Sequence, residues 1–330
     1  MRRRFWTLLL AGVMAAAGLS QAAHAEGVAL TYDDLPGFAL TDSVAYADLT
    51  TNRLLRGIRR HHFHATGFVI GDRLEGDQHA ARTAMVVKWR DAGVVLGNHT
   101  NSHESLNKTP VADYIADVAA ADAVLRPILA AKGETPVWFR HPYLETGTTA
   151  EARKTFEDWL AAHGYKVAPV TMENSDWMFA LVYDDAILRH DRAKAAKVKQ
   201  TYLTYTEKCV QWYRQAGLEL LGRRPDYVFL LHATRLNADT VGDLARILKR
   251  NHLRPEPLAE AMADPAYKIV DTRGNPDGDE WLSRWAVTLH KELPWDSFPD
   301  RRRTSRPRTT SSTRHSSGCA RTVAPARWVN

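Results

Sequence analysis

Cysteine is almost missing from this chain. Of 330 residues only Cys209 and Cys319 carry a thiol. That excludes a disulfide framework and any cysteine-built metal site. Cys209 falls in a helical pattern and Cys319 in a polar terminal stretch, so no structural disulfide is expected. The turn after the first apolar run, Asp33-Asp34-Leu35-Pro36-Gly37, lacks the glycines that a phosphate-cradling loop needs. No internal repeat is present, which excludes a solenoid or propeller. No basic stripe interleaved with aromatics occurs in the body, which argues against nucleic-acid binding.

The net charge of +6, from 44 basic and 38 acidic residues, points the same way once it is located. The first 25 residues hold three Arg and residues 301–330 hold eight, with no acid in either. Residues 26–300 therefore carry 33 basic against 38 acidic groups, a net of −5. The basic character belongs to the ends.

Each end has its own signature. Arg2-Arg3-Arg4, an apolar stretch over 5–18 and Ala23-His24-Ala25 form a basic region, an apolar region and a small-x-small cleavage site. The apolar stretch is short for a bilayer span. Cleavage after Ala25, export to the periplasm or medium and no stable membrane anchor are expected. Residues 301–330 are rich in Arg, Ser and Thr without any period, the composition of a disordered, solvated tail.

Between the ends, short apolar runs alternate with helical patterns. Strands are expected over 28–32, 65–70, 94–96, 137–140, 166–170 and 227–232. Helices are expected over 44–60, 78–92, 111–131, 150–163, 184–216 and 240–251, with Pro127 a potential kink in the third. Such alternation predicts an α/β fold, an irregular (β/α) barrel with parallel strands. The domain plan is a catalytic domain over 26–255 and an extension over 256–300. In that extension, Trp281, Trp285 and Trp295 pack on the barrel or stack on sugar rings. Residues 178–226 are either a lid or groove wall, or pack on the barrel.

The polar residues with chemical potential follow strands. Thr31-Tyr32-Asp33-Asp34 closes the first, and His99-Thr100-Asn101-Ser102-His103 follows another. Of two adjacent carboxylates, one can ligate a metal while the other accepts a proton. Two histidines four apart can join the ligating one if the backbone turns once between them. Arg140 and His232 also lie at the ends of strands, and Asp176 after one. In a barrel those strand ends converge on one face, where active sites form.

With these motifs the chain resembles the NodB-homology polysaccharide deacetylases, carbohydrate esterases of the fourth family. Five ordered motifs carry the resemblance over roughly residues 27–255: Thr31–Asp34, His99–His103, Arg140-His141-Pro142-Tyr143, Asp176-Trp177 and Leu230-Leu231-His232. The resemblance implies that Asp33 is the general base, and that Asp34, His99 and His103 bind a divalent metal, zinc first and cobalt next. It implies that Arg140 orients Asp33, that the Tyr143 N–H helps form the oxyanion hole, and that His232 is the general acid tuned by Asp176. Trp177 and Leu230 would wall the acetyl pocket. The substrate would be an acetylated glycan, attacked at an N-acetyl amide or an O-acetyl ester.

The family pattern is not followed everywhere. Tyr32 stands where Phe is usual, and Leu144-Glu145 follows the third motif, leaving Glu145 able to reach the cleft. His61-His62-Phe63-His64 suits the cationic end of a helix better than a metal site. His190-Asp191 is expected to be solvated on the long polar helix, and His141 is a candidate for the groove lining. Two rival functions use parts of the same equipment. A non-haem iron oxygenase needs two His and a carboxylate but leaves Asp33 and His232 unexplained. A non-catalytic glycan-binding protein would not need the full set.

Overall fold

The computed structural model describes residues 26–300; the expected signal segment 1–25 and tail 301–330, with Cys319, lie outside them. Strand β1 (Gly27–Leu35) is buried along its whole length. Helix α1 (Val44–Arg60), β2 (Ala65–Val69), α2 (His79–Asp91), β3 (Val95–Asn98), α3 (Val111–Ala130) and β4 (Trp138–Phe139) follow. Next come α4 (Ala150–Ala162), β5 (Lys166–Val167), α5 (Asp176–Leu188), α6 (Arg192–Leu221) and β6 (Tyr227–His232). The described chain ends with α7 (Arg235–Ala238), α8 (Val241–Arg250), β7 (Arg254–Pro255), α9 (Leu258–Ala261) and α10 (Trp281–Thr288).

All the strand pairings are parallel, in the order β5-β4-β3-β2-β1-β6, with β7 beside the start of β1. The chain beyond β5 bends back to β6 through a bridge between Met172 and Phe229, so the sheet curls toward closure as an irregular barrel. Parallel strands covered by helices are expected to be mainly apolar, and β1 and β6 are so up to their C-terminal ends, where Asp33, Asp34 and His232 stand.

Helix α1 shows how sequence sets an element. The Ser43 hydroxyl caps it by accepting from Tyr46 N–H, Leu54, Leu55 and Ile58 form its buried face, and Arg59 and Arg60 occupy the last turn. His62 follows as the left-handed residue past the C-cap, with φ 53°. The histidine-rich run is thus a helix terminus. His190, His252 and His290 hold the same position after α5, α8 and α10, each with φ between 54° and 59°.

The expected helix over 184–216 is in fact two. Helix α5 starts eight residues earlier and ends at Leu188, His190 turns left-handed, and the Asp191 side chain caps α6 by accepting from Lys194 N–H. His190 and Asp191 therefore mark a break between helices. Helix α6 buries Tyr202, Tyr205, Cys209, Tyr213, Ala216 and Leu220 at helical spacing, so most of residues 178–226 pack on the barrel. Cys209 is a core thiol, buried among the residues of the main cluster.

Beyond residue 255 the chain contributes to the same core. Leu258 and Ala261 pack with Ala29 and Val228, and Trp281, Leu282 and Trp285 belong to the main core. Trp295 is half-exposed and stacks on Trp212 with ring centroids 4.9 Å apart. None of the helices described is long and apolar enough to cross a membrane.

Candidate active site

Parallel pairing places Asp33 directly opposite His232 at the C-terminal ends of β1 and β6. Side chains alternate along a strand, so Asp33 and Asp34 would ordinarily face opposite sides. The register of β1 against β2 shifts between Tyr32 and Leu35, and Asp34 takes φ 66° within that irregularity. A bulge of this kind re-aims a side chain. Asp34 Oδ1 thereby comes within 3.3 Å of His103 Nε2 and 3.7 Å of His99 Nε2.

His99 is held from behind. Its Nδ1 lies 2.8 Å from the Arg140 carbonyl, so Nδ1–H donates there and Nε2 is left to the site. His103 reaches the same point because Thr100 and His103 are both left-handed, which tightens the turn between the two histidines. One ligand atom each from Asp34, His99 and His103 lies within 4.8 Å of the others. Burial disfavours the charged form of both rings and lowers their pKa values, most strongly for His99. Burial works against the Asp34 carboxylate, but Arg73 and the surrounding histidines outweigh it and hold its pKa below the usual carboxylate range. Asp34 Oδ1 is buried without a hydrogen-bond donor. Two neutral imidazoles and one carboxylate, whose Oδ1 is the orphaned oxygen, form a donor set that fits a divalent cation.

Asp33 has a different setting. Its Oδ2 lies 3.4 Å from Arg140 Nη1 and 3.7 Å from His99 Nε2, while its Oδ1 is buried without a partner. Burial pushes its pKa up to about 6, against the opposing charges of Arg140 and His232. Arg140 is fully buried and locked by Nε donating to the Ala168 carbonyl at 2.9 Å and Nη2 donating to Thr31 Oγ1 at 3.1 Å. Its guanidinium also sits 4.7 Å over the Phe68 ring.

His232 and Asp176 form a closed pair. Nδ1–H and the backbone N–H of His232 donate to the two oxygens of Asp176, each at 2.7 Å. Burial alone would lower the His232 pKa, but the Asp176 carboxylate raises it to about 9. Asn237 locks the pair, donating to Asp176 Oδ2 and, at 2.8 Å, to the His232 carbonyl; its own Oδ1 accepts from Tyr202 OH. Asp176 also occupies the first turn of α5, where a negative charge favours the helix.

The structure thus brings Asp33, Asp34, His99, His103, Arg140, Asp176 and His232 together. Tyr143 stands at the edge, its ring 4.7 Å from that of His103 and half-exposed. Leu230 lies on β6 two residues before His232 and is partly buried, and Trp177, 38 % exposed, follows Asp176 on α5.

Two expectations fail. His141 does not line the groove: it is buried, with Phe139 and Phe156 edge-on to its ring at 4.9 and 5.4 Å and Tyr114 stacked parallel at 6.5 Å. Glu145 is committed to Ser105, whose hydroxyl donates to it, rather than left to reach into the cleft.

Sequence reasoning gave no role to Thr31 and missed Asn237 and Arg73, whose Nη1 donates to the Gly37 carbonyl at 3.1 Å and approaches that of Asp34 at 3.4 Å. Thr31 was legible, being two residues before Asp33 and on the same strand face. Arg73 had no signal, because it comes from a short turn between β2 and α2.

Against known proteins, residues 20–168 match the family described as polysaccharide deacetylase. The chain is 25 % identical over 150 residues to the peptidoglycan-N-acetylglucosamine deacetylase of Bacillus cereus, which covers 46 % of each chain. It is 27 % identical over 150 residues to the chitin deacetylase of Colletotrichum lindemuthianum, covering 46 % of this chain and 52 % of that one. The chain spans about half the length of these curated relatives. The solved structure of the Colletotrichum lindemuthianum enzyme aligns with a TM-score of 0.48 at 22 % identity, over 71 % of this chain and 86 % of that one. The family match contains Asp33, Asp34, His99, His103 and Arg140 and stops before Asp176 and His232.

Proposed function

From the match of residues 20–168 to the polysaccharide deacetylase family, we propose that the protein hydrolyses acetyl groups on an N-acetylated glycan of the peptidoglycan or chitin class. The observation that carries this reading is Asp33 facing His232 across paired strand ends, beside the Asp34–His99–His103 cluster. A base and an acid of separated pKa flank one point, as amide hydrolysis requires.

In the reaction, Asp33 takes a proton from the water that attacks the acetyl carbonyl. Arg140 holds that carboxylate in place. The backbone N–H of Tyr143 donates to the oxyanion as the new C–O bond forms. His232 then gives its proton to the amine nitrogen as the C–N bond breaks, releasing acetate and the free amine. Asp176 holds the ring of His232 through Nδ1–H, which leaves Nε2–H for this transfer. A divalent cation held by Asp34, His99 and His103, zinc in first place, would supply Lewis-acid polarisation of the acetyl carbonyl. Trp177 and Leu230 are assigned to the wall of the acetyl pocket. Residues 1–25 are assigned to export and residues 26–255 to the catalytic domain.

The direct test is acetate release by the metal-reconstituted protein from peptidoglycan, chitin oligomers and acetylated xylan. Release from the N-acetylated polymers is expected. Glycan binding without acetate under any metal would instead favour a binding protein.

The pH profile follows from the two shifted groups. Asp33 acts ionised, so activity should fall as pH drops through about 6. His232 acts protonated, so activity should fall as pH rises through about 9. A bound cation moves both limbs to lower pH by its charge. Asp176→Asn removes the interaction that raises His232 and should shift the alkaline limb downward, more than the acid limb, with metal content unchanged. Persistence of the wild-type alkaline limb in His232→Ala would assign that limb to another group.

A further inference from the structure

The loop that presents Tyr143 is held in an improbable conformation by a segment far away in sequence. Tyr143 and Leu144 are consecutive left-handed residues, with φ 57° and 58°. Side chains with a Cβ adopt this region at a cost, and a pair of them persists only where the surroundings over-determine it.

The surroundings here are residues 271–284, more than a hundred residues beyond the end of the family match. Buried Asn275 is their centre. Its Nδ2 donates to the Leu144 carbonyl at 2.8 Å and to the Asp279 carbonyl at 3.0 Å, and its Oδ1 accepts from Asp279 N–H at 2.9 Å. Its backbone N–H donates to the Gly147 carbonyl at 2.7 Å. Gly278, at φ 68°, passes so close to the loop that a Cβ would lie 2.4 Å from the Tyr143 carbonyl oxygen. Arg284 donates from Nη1 to Thr146 Oγ1 at 3.0 Å.

Asn107, four residues after the candidate ligand His103, closes the junction. Its Nδ2 donates to the Asn275 carbonyl at 2.8 Å, and its Oδ1 accepts from Gly147 N–H at 2.9 Å. Ser105 adds the contact to Glu145. The base of this brace is rigid, because Trp281 and Trp285 on α10 sit in the main core and Trp281 N–H donates to the Val170 carbonyl at 2.6 Å.

We propose that Asn275, with Gly278 and Asn107, is a positioning device for the reaction: it fixes the 142–147 loop, and so the Tyr143 N–H, relative to the Asp34–His99–His103 cluster. The catalytic part of this inference rests on the deacetylase reading; the brace itself does not. An oxyanion donor must meet the developing charge to within a fraction of an ångström, and a misplacement of about 1 Å costs on the order of 10²-fold in rate. None of the three residues touches the reacting atoms in this arrangement.

The test uses full-length Asn275→Ala, Asn275→Asp and Gly278→Ala variants. Metal stoichiometry, thermal unfolding, kcat and KM for acetate release, and hydrogen exchange of peptides covering 142–147 are measured. The expected result is a fall in kcat of roughly 10–100-fold, with KM and metal content unchanged and exchange in 142–147 about tenfold faster. Unchanged kcat, or a fall that only tracks lost metal or lost folded protein, would overturn the positioning role. Unchanged exchange in all three variants would overturn the brace. If wild-type protein releases no acetate from any substrate, the deacetylase reading and the positioning role fail together, and exchange still decides the brace.

Discussion

In an Asp33→Asn variant, acetate release should drop by roughly 10²–10⁴-fold, the range for removal of a general base, while the metal is retained at wild-type stoichiometry. The two aspartates differ by one residue but not by one role. Asp33 faces Arg140 and His232, and burial raises its pKa to about 6, near the working range of a base. It stands outside the group whose ligand atoms converge within 4.8 Å. The amide is nearly isosteric and keeps the strand pairing with His232, so the fold and the neighbouring donor set should survive. Metal content and turnover on the same preparation check this. Equal loss of metal in Asp33→Asn and Asp34→Asn would merge the two roles into one bridging carboxylate site.

Removal of a ligand should have the larger effect. His99→Ala and His103→Ala, and to a lesser degree Asp34→Asn, should abolish stoichiometric metal after dialysis against a chelator and take acetate release to background. Three protein ligands are the usual minimum for an open catalytic site, and a remnant of two binds far more weakly. His99 should be the less forgiving position, since its Nδ1 is tied to the Arg140 carbonyl and both residues are fully buried. That bond also links the metal set to the orientation of Asp33 through one residue. Near-stoichiometric metal in both histidine variants, measured by elemental analysis, would reject the ligand assignment. Added zinc or cobalt that restores activity to chelated wild-type protein, but to neither variant, would support it.

The sequence was informative wherever function depends on residue type at close spacing. Asp33-Asp34 after an apolar run and His99-x3-His103 announce a donor set locally, and the alternation of apolar runs with helical patterns announces a parallel α/β sheet. Helix boundaries were legible where caps are local, as at Ser43 and Arg60. The long helical pattern over 184–216 misled because the break at His190 depends on a left-handed residue that propensity does not flag and on a cap supplied by the next residue. His141 misled because its neighbour Arg140 enters the site. Adjacent residues on an extended segment point to opposite sides, and His141 turns into an aromatic cluster.

By itself, then, the sequence determined the chemistry on offer: two carboxylates, two imidazoles, an arginine at a strand end and a later histidine, on a fold that gathers strand ends. Only the tertiary structure decided which of these meet and in what protonation state. The pairing of Asp33 with His232 spans 199 residues and exists because β1 and β6 are neighbours in register. The bulge at Asp34, the carbonyl that fixes His99, and the Asn275 brace on the Tyr143 loop are made by backbone conformation and by hydrogen bonds between distant segments. The pKa separation of Asp33 and His232 comes from burial and from charges brought near only by folding, and no local pattern encodes either.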